Sequence, residues 1–300
     1  MMVDIYESNE SLTIEEYLLR IPDALQRERT KAILYNSLKV LSSLNNSFGK
    51  NKDLPEIRII TSATANAEAI SYVIRINSGL IDHCLSTAHA DIETIFGRPL
   101  PYSLNSDKIA TVSLSWILAH EWTHILRCHD DVIKELGSDP NTLQALEHDA
   151  DYCAIAAAYR RLQLQHSFEL SDLEIRELLL YCLFWTVRTL TSMSNTHEGI
   201  GQRLQNFIIK ITTLSEQPGG APDNELKTPK SHEIAKALIN LFAKCEKHFQ
   251  AVNTSEQFKS NLLKEALDRF SDKSYLNTTL GWEKISSVVE RLSQTRATNK

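Results

Sequence analysis

The amino-acid sequence predicts a mostly helical α+β protein with one small sheet in its first third. Apolar residues recur at helical spacing over most of the 300 residues, and this periodicity indicates packed helices. Two short segments, 54–61 and 71–77, alternate instead and are rich in β-branched residues, which is typical of strands. The segment 217–223, rich in Pro and Gly, is the clearest linker, and only helical patterns follow it.

Composition argues against several classes of protein. The formal net charge is −6 and Lys and Arg form no block, so nucleic acid is not expected as a partner. The first residues are acidic and lack an apolar signal segment, and the longest apolar run, 178–187, is too short to span a bilayer. The five cysteines are scattered singly, as is typical of reduced thiols. We therefore expect a cytoplasmic protein without a membrane span.

The N-terminal fifty residues are predicted to be helical. Thr13 and Glu16 are spaced as a capping box, and Pro22 can open a second helix after the first one stops. Apolar positions then recur at helical spacing from Asp23 to Asn45, which indicates a pair of packing helices.

Two strands follow, with a small and polar loop expected between them at 61–69. An exposed edge strand can hold an extended peptide by main-chain hydrogen bonds, so the second strand is a candidate substrate strand. A plain scaffold sheet explains the same pattern equally well. The candidate strand residues are Tyr72, Val73, Ile74, Arg75, Ile76 and Asn77.

A helix expected from about Lys108 to His129 carries the motif H-E-x-x-H at residues 120–124. Residues four apart lie on one face of a helix, so the imidazoles of His120 and His124 can both bind one metal ion. Glu121 lies about 100° round the helix from His120, so it can flank the open side of the metal and accept a proton from water. This arrangement is the one that metal-assisted hydrolysis requires.

The next helix, expected at 141–165 after the break at 137–140, carries the motif E-x-x-x-D. Glu147 and Asp151 therefore share one helix face. Glu147 can supply the third ligand, and Asp151 can accept the free ring N–H of a ligand histidine and so fix its tautomer. An acidic pair on a solvated face is the alternative. Further helices are expected at 171–193, 231–249, 255–270 and 281–293.

With both motifs in this order, the sequence resembles the gluzincin metallopeptidases, and among them the Ste24/HtpX-like peptidases of family M48. Three further stretches support this resemblance. The first is Asn66-Ala67, followed by the strand 72–77 and Ser78-Gly79-Leu80, and the second is the second motif itself, which reads E-x-x-A-D at 147–151. The third is Thr196-His197, with Arg203 six residues beyond the histidine. The chain departs from the family in two ways, since Glu198 replaces a proline and no transmembrane helix is visible. A looser likeness is to the soluble Lit-type phage-exclusion peptidases.

The resemblance implies a zincin-like core that binds one Zn²⁺ per chain through His120, His124 and Glu147, with Glu121 as general base. It also implies that His197 and Arg203 stabilise the oxyanion of the transition state. We divide the chain into a helical N-terminal segment, 1–50, a metallopeptidase core, 51–215, and a helical C-terminal module, 231–300. The substrate would be a protein or peptide, and a partner or activator could bind through the C-terminal helices.

Two alternatives stay open at this point. In the first, the chain is a catalytically silent zinc-binding module with a regulatory or interaction role. The intact Glu121 argues against this, because a structural zinc site needs no base and is normally closed by a fourth ligand. In the second, the chain is a protease restricted to one cellular target and inactive until triggered.

Overall fold

The computed structural model describes residues 9–48, 53–86, 92–99, 104–189, 199–217, 228–252 and 276–298, with four further residues between 262 and 268. Most of them are helical and one four-stranded sheet is present, so the predicted mostly helical α+β class is confirmed. The elements are β1 (Ser11–Leu12), α1 (Ile14–Leu19), α2 (Ala24–Ser47), β2 (Glu56–Ile60), β3 (Ala67–Ile70), β4 (Val73–Asn77), α3 (Ser78–Ser86), α4 (Ile92–Phe96), α5 (Ser106–Leu126), α6 (His129–Leu136), α7 (Pro140–His166), α8 (Asp172–Thr189), α9 (Ile200–Thr213), α10 (Pro229–Val252) and α11 (Leu276–Thr298).

Polar caps fix the starts of several helices where the sequence predicts them. Thr13 and Glu16 form the reciprocal capping box of α1. The side chain of Asn105 accepts the N–H of Lys108 at the start of α5. Asp139 caps α7 in the same way, with proline at the first position of that helix. Each cap satisfies backbone N–H groups that the first helical turn leaves without an intrahelical acceptor.

The sheet has the order β1-β2-β4-β3 and is mixed. β2 and β4 are parallel, whereas β1 and β3 each pair antiparallel with their neighbour. The loop expected at 61–69 is partly wrong, because residues 67–70 form β3. A hairpin turn at Ser71, with a φ of 57°, joins β3 to β4. Two of the four strand residues are alanines, whose weak apolar alternation hid the strand from the sequence pattern.

The candidate substrate strand at 72–77 is corrected by this topology. β4 lies between β2 and β3 and forms hydrogen bonds on both sides, so it is not an edge strand. Among the strands that the structure describes, β3 forms the edge on that side of the sheet. A substrate strand added there would pair with β3 rather than with β4.

Helix α5 runs through the centre of the molecule. Most of its residues are buried, from Ile109 to Leu126, and the helix packs between α2 and α7. Alanines at 154, 157 and 158 lie buried on α7, where small side chains allow neighbouring helices to approach closely. Among the helices described here, none combines the length and apolar character that crossing a membrane requires.

The flanking helices pack directly on this core. α10 packs against α8 and α9, and α11 packs against α7 and α6. The N-terminal segment contributes β1 to the sheet and α2 to the surroundings of α5. The division at 1–50, 51–215 and 231–300 stays a prediction, although the flanking segments contribute to the packing around α5 and α7.

Candidate metal centre

Three side chains from α5 and α7 converge. The Nε2 atoms of His120 and His124 lie 3.2 Å apart. The carboxylate of Glu147 places Oε2 at 3.2 Å from His120 Nε2 and Oε1 at 3.8 Å from His124 Nε2. Each of the three residues offers one nitrogen or oxygen atom that could bind a metal, and these three atoms all lie within 4.8 Å of one another. Helical spacing brings the histidines together, and packing of α7 on α5 brings the glutamate to them.

Asp151 lies one helical turn after Glu147 and contacts the outer nitrogen of His120. The ring Nδ1 of His120 is 2.8 Å from Asp151 Oδ1, so His120 donates this hydrogen bond, and its Nε2 faces Glu147 and His124. Burial opposes the charged form of His120, yet its hydrogen bonds to Asp151 and Glu147 raise its pKa to about 10. The group of side chains therefore favours a positive charge at its centre.

Arg203 of α9 has contacts different from those expected of an oxyanion donor. Its Nε and Nη2 donate hydrogen bonds of 2.6 and 2.7 Å to the two carboxylate oxygens of Asp151. Its guanidinium also lies over the rings of Trp116 and Phe207. Burial opposes ionisation of Asp151, but this arginine and His120 hold the pKa of Asp151 well below its ordinary value. These contacts fit a residue that orients Asp151.

The helix expected to run to about His129 ends earlier, and His129 begins the next helix instead. α5 ends at Leu126, and Cys128 adopts a left-handed conformation with a φ of 59° before α6 begins. This turn brings His129 back toward the site, with its Nδ1 2.9 Å from Nδ1 of His124. The Nε2 of His129 lies 3.1 Å from Oδ2 of Asp149. His120 and His124, the two candidate ligands, therefore each have a neighbour at the outer ring nitrogen.

Glu121 lies beside this group without belonging to it. Its electrostatic neighbours include His120, Glu147, Arg203 of α9 and Glu68 of β3. Burial raises the pKa of Glu121 to about 7, so its carboxylate takes up a proton more readily than an exposed glutamate does. β3, the outer strand of the sheet, packs against α5 and carries Glu68, an electrostatic neighbour of Glu121.

One aromatic pair fixes the sheet against α5. Tyr72 in the turn between β3 and β4 packs edge-on against Trp122, with ring centroids 5.4 Å apart. The Trp122 indole N–H donates a 2.8 Å hydrogen bond to the side chain of Asn45 on α2. A side chain within the H-E-x-x-H motif therefore anchors both the hairpin and the N-terminal helix.

His197, the other residue expected to stabilise an oxyanion, lies outside the described residues, and so do Thr196 and Glu198. Sequence reasoning missed His129 and Asp149. The sequence did contain a signal for Asp149, because it lies between Glu147 and Asp151, the two acidic residues that already indicate a metal site. No spacing rule finds His129, since its position depends on the turn at Cys128.

The family model described as peptidase U49 matches residues 46–220, which is more than half of the chain. The chain belongs to the peptidase U49 family. The matched region of this peptidase includes the sheet from β2 onward and every residue expected at the site. No curated protein and no solved structure matches the chain significantly.

Family membership confirms the coarse expectation of a peptidase, which acts on proteins or peptides. The finer resemblance to the Ste24/HtpX-like peptidases stays a prediction. α10 and α11 lie beyond the matched region, so membership in the U49 family carries no information about them.

Proposed function

We propose that this member of the U49 family is a zinc-dependent metalloendopeptidase that cleaves protein substrates. The observation that carries the proposal is the convergence of His120, His124 and Glu147, whose ligand atoms lie within 4.8 Å of one another. Two imidazoles and one carboxylate, with a position left for water, form a donor set used in catalytic zinc sites.

The surroundings of these residues support zinc as the ion. The hydrogen bond from His120 to Asp151 leaves Nε2 as the metal-facing nitrogen, and carboxylate partners of this kind orient ligand histidines. Zinc accepts nitrogen and oxygen donors, whereas magnesium and calcium prefer oxygen alone. The two imidazoles therefore favour a transition metal over the hard cations, and zinc is the ion that we propose.

When bound, zinc acts as a Lewis acid and lowers the pKa of a water ligand to about 7. Glu121 would then act as the general base, since it is next to His120 in the chain and beside the ligand group. It would accept a proton from the attacking water and later pass it to the nitrogen of the leaving amine. Asp151 holds the His120 ring in place through both events.

The edge of β3 is the proposed binding strand for an extended substrate. The N–H of Asn77 donates to the carbonyl of Asn66, and hydrogen-bonded pairs alternate along an antiparallel ladder. The main-chain groups of Ala67 and Ala69 therefore point away from β4, toward the outer side of the sheet. A peptide strand added there would run along the side of the sheet that lies near Glu121.

Metal content of the purified protein tests this proposal. The wild type should carry about one zinc per chain by plasma emission, and His120→Ala, His124→Ala and Glu147→Ala should each lower that content. His166→Phe is the matched control, because His166 is another buried histidine of α7 at the far end of that helix from Glu147. Full zinc retention in Glu147→Ala would remove Glu147 as third ligand, and a zinc-free wild type would refute the metallopeptidase.

A further inference from the structure

A buried chain of hydrogen bonds leads away from the second ligand histidine. His124 Nδ1 and His129 Nδ1 lie 2.9 Å apart, and His129 Nε2 lies 3.1 Å from Asp149. The side chain of His129 is 1% exposed and that of Asp149 is 8% exposed, so water has little access to these contacts. Arg127 completes the chain, since its Nε donates a 2.8 Å hydrogen bond to Asp149 Oδ2.

The tautomers of the two histidines in this hydrogen-bond series follow from one requirement. For His124 to present the Nε2 lone pair to a metal, its ring proton must be on Nδ1. That N–H can then donate only to an unprotonated Nδ1 of His129, so the proton of His129 is on Nε2. This second N–H points at Asp149, which accepts it. With these two tautomers, each of the two ring N–H groups has an acceptor: Nδ1 of His129 for His124, and Asp149 for His129.

We propose that His129 is a positioning residue that holds the ligand His124 in its metal-binding tautomer and orientation. This assignment rests on the proposed function, because it supposes that His124 binds the metal. Partners at the outer nitrogen of ligand histidines typically contribute 10–100-fold to metal affinity, or about 1.4–2.7 kcal/mol. Asp151 contacts the ring of His120 directly, whereas Asp149 is connected to the ring of His124 through the imidazole of His129.

The local fold supports the assignment independently. Cys128 takes a left-handed conformation, which is unfavourable for a residue other than glycine, and this turn is what brings His129 back to His124. Arg127 is in turn held between two rings, Phe48 at 5.6 Å and Trp282 of α11 at 5.4 Å. The Arg127 end of these contacts is therefore fixed by packing.

Zinc affinity of three variants tests the proposal. A competing chelator of known affinity should show that the dissociation constant for zinc rises tenfold to a hundredfold in His129→Phe, which keeps the ring but cannot accept a hydrogen bond. His129→Asn should recover part of the loss, because its amide oxygen can take the place of Nδ1 as acceptor. His166→Phe replaces a similarly buried histidine that touches none of these residues, and it should bind zinc like the wild type. Wild-type zinc affinity in a folded His129→Phe would overturn the proposal.

A measurement on the wild type decides the matter even if His129→Phe does not fold. Nitrogen-15 spectra of the histidine side chains distinguish the tautomers, and the His129 signals are assigned by their loss in His129→Asn. In the zinc-loaded protein the Nε2 of His129 should carry a proton and its Nδ1 should carry none. A proton on Nδ1 would overturn the proposal, because that nitrogen could not accept from His124. If the wild type bound no zinc, the proposed function itself would fail.

Discussion

At the scale of single residues, Asp151 links the predicted ligand His120 to Arg203 of α9. One carboxylate accepts a hydrogen bond from His120 and two from Arg203, and it lies almost wholly out of water. A buried carboxylate is stable only when it is paired and hydrogen-bonded, and here both conditions are met. The guanidinium thus stabilises the charged carboxylate that accepts the hydrogen bond of His120, a proposed ligand.

This arrangement predicts how Arg203→Ala will behave. Removal of the guanidinium leaves Asp151 buried beside His120, so the free energy of unfolding should fall by about 3–5 kcal/mol and zinc should bind at least tenfold more weakly. Urea unfolding and chelator competition measure the two effects. An oxyanion donor would give the opposite pattern, with unchanged zinc affinity and a lower kcat.

Gly79 is a second residue at which the structure makes a definite prediction. A Cβ at this position would lie 2.2 Å from the carbonyl oxygen of Ala63, and the backbone N–H of Gly79 is hydrogen-bonded to Ser62. Gly79→Ala should therefore cost about 1–3 kcal/mol of stability. Gly281→Ala is the control, because its Cβ would meet only Ala145 at an ordinary 3.7 Å. Equal melting temperatures of the two variants would contradict the close approach at Gly79.

At the scale of elements, the sheet shows what the sequence could and could not predict. The alternating β-branched pattern identified β2 and β4, but it could not establish which strand lies at the edge. The position of the edge depends on β3, whose two alanines give only a weak apolar alternation, and on the left-handed turn at Ser71. Helix starts were predictable because Thr13, Asn105 and Asp139 are caps with a local mechanism.

The edge of β3 leads to a prediction about substrate binding. Ala69→Pro removes an N–H that points away from β4, so the sheet should persist while a main-chain contact to an added strand is lost. The KM for a mapped peptide substrate should rise roughly tenfold, the effect of one lost hydrogen bond of about 1.5 kcal/mol. Ala69→Ser keeps the N–H and should retain the wild-type KM. An unchanged KM in a folded Ala69→Pro would exclude this edge as the binding strand.

At the scale of the whole molecule, helices from the N-terminal and C-terminal parts of the chain meet near the site. Phe48 follows α2, Trp282 belongs to α11, and the guanidinium of Arg127 lies within 6 Å of both ring centroids. The Oγ of Ser293, also on α11, donates to the carbonyl of Arg127 at 3.2 Å. The C-terminal helix therefore supports the turn that brings His129 to His124.

This long-range arrangement explains the limits of prediction from the sequence. Spacing alone brought His120, Glu121 and His124 to neighbouring positions on one helix, because four residues make about one helical turn. The second motif indicated Glu147 and Asp151 by the same rule. The contacts of Arg203 and His129 depend on how α9 and α6 pack, and packing across the chain leaves no periodic signal in the sequence.

The central claim is that Glu121 catalyses peptide hydrolysis beside a bound zinc ion, and mapping new protein N-termini in a lysate tests it most directly. Wild-type protein should generate a defined set of new termini, whereas Glu121→Gln should generate none, since glutamine cannot accept the proton of the attacking water. The comparison requires that Glu121→Gln still carries one zinc per chain and keeps its fold. The same termini at similar rates with Glu121→Gln would contradict the account.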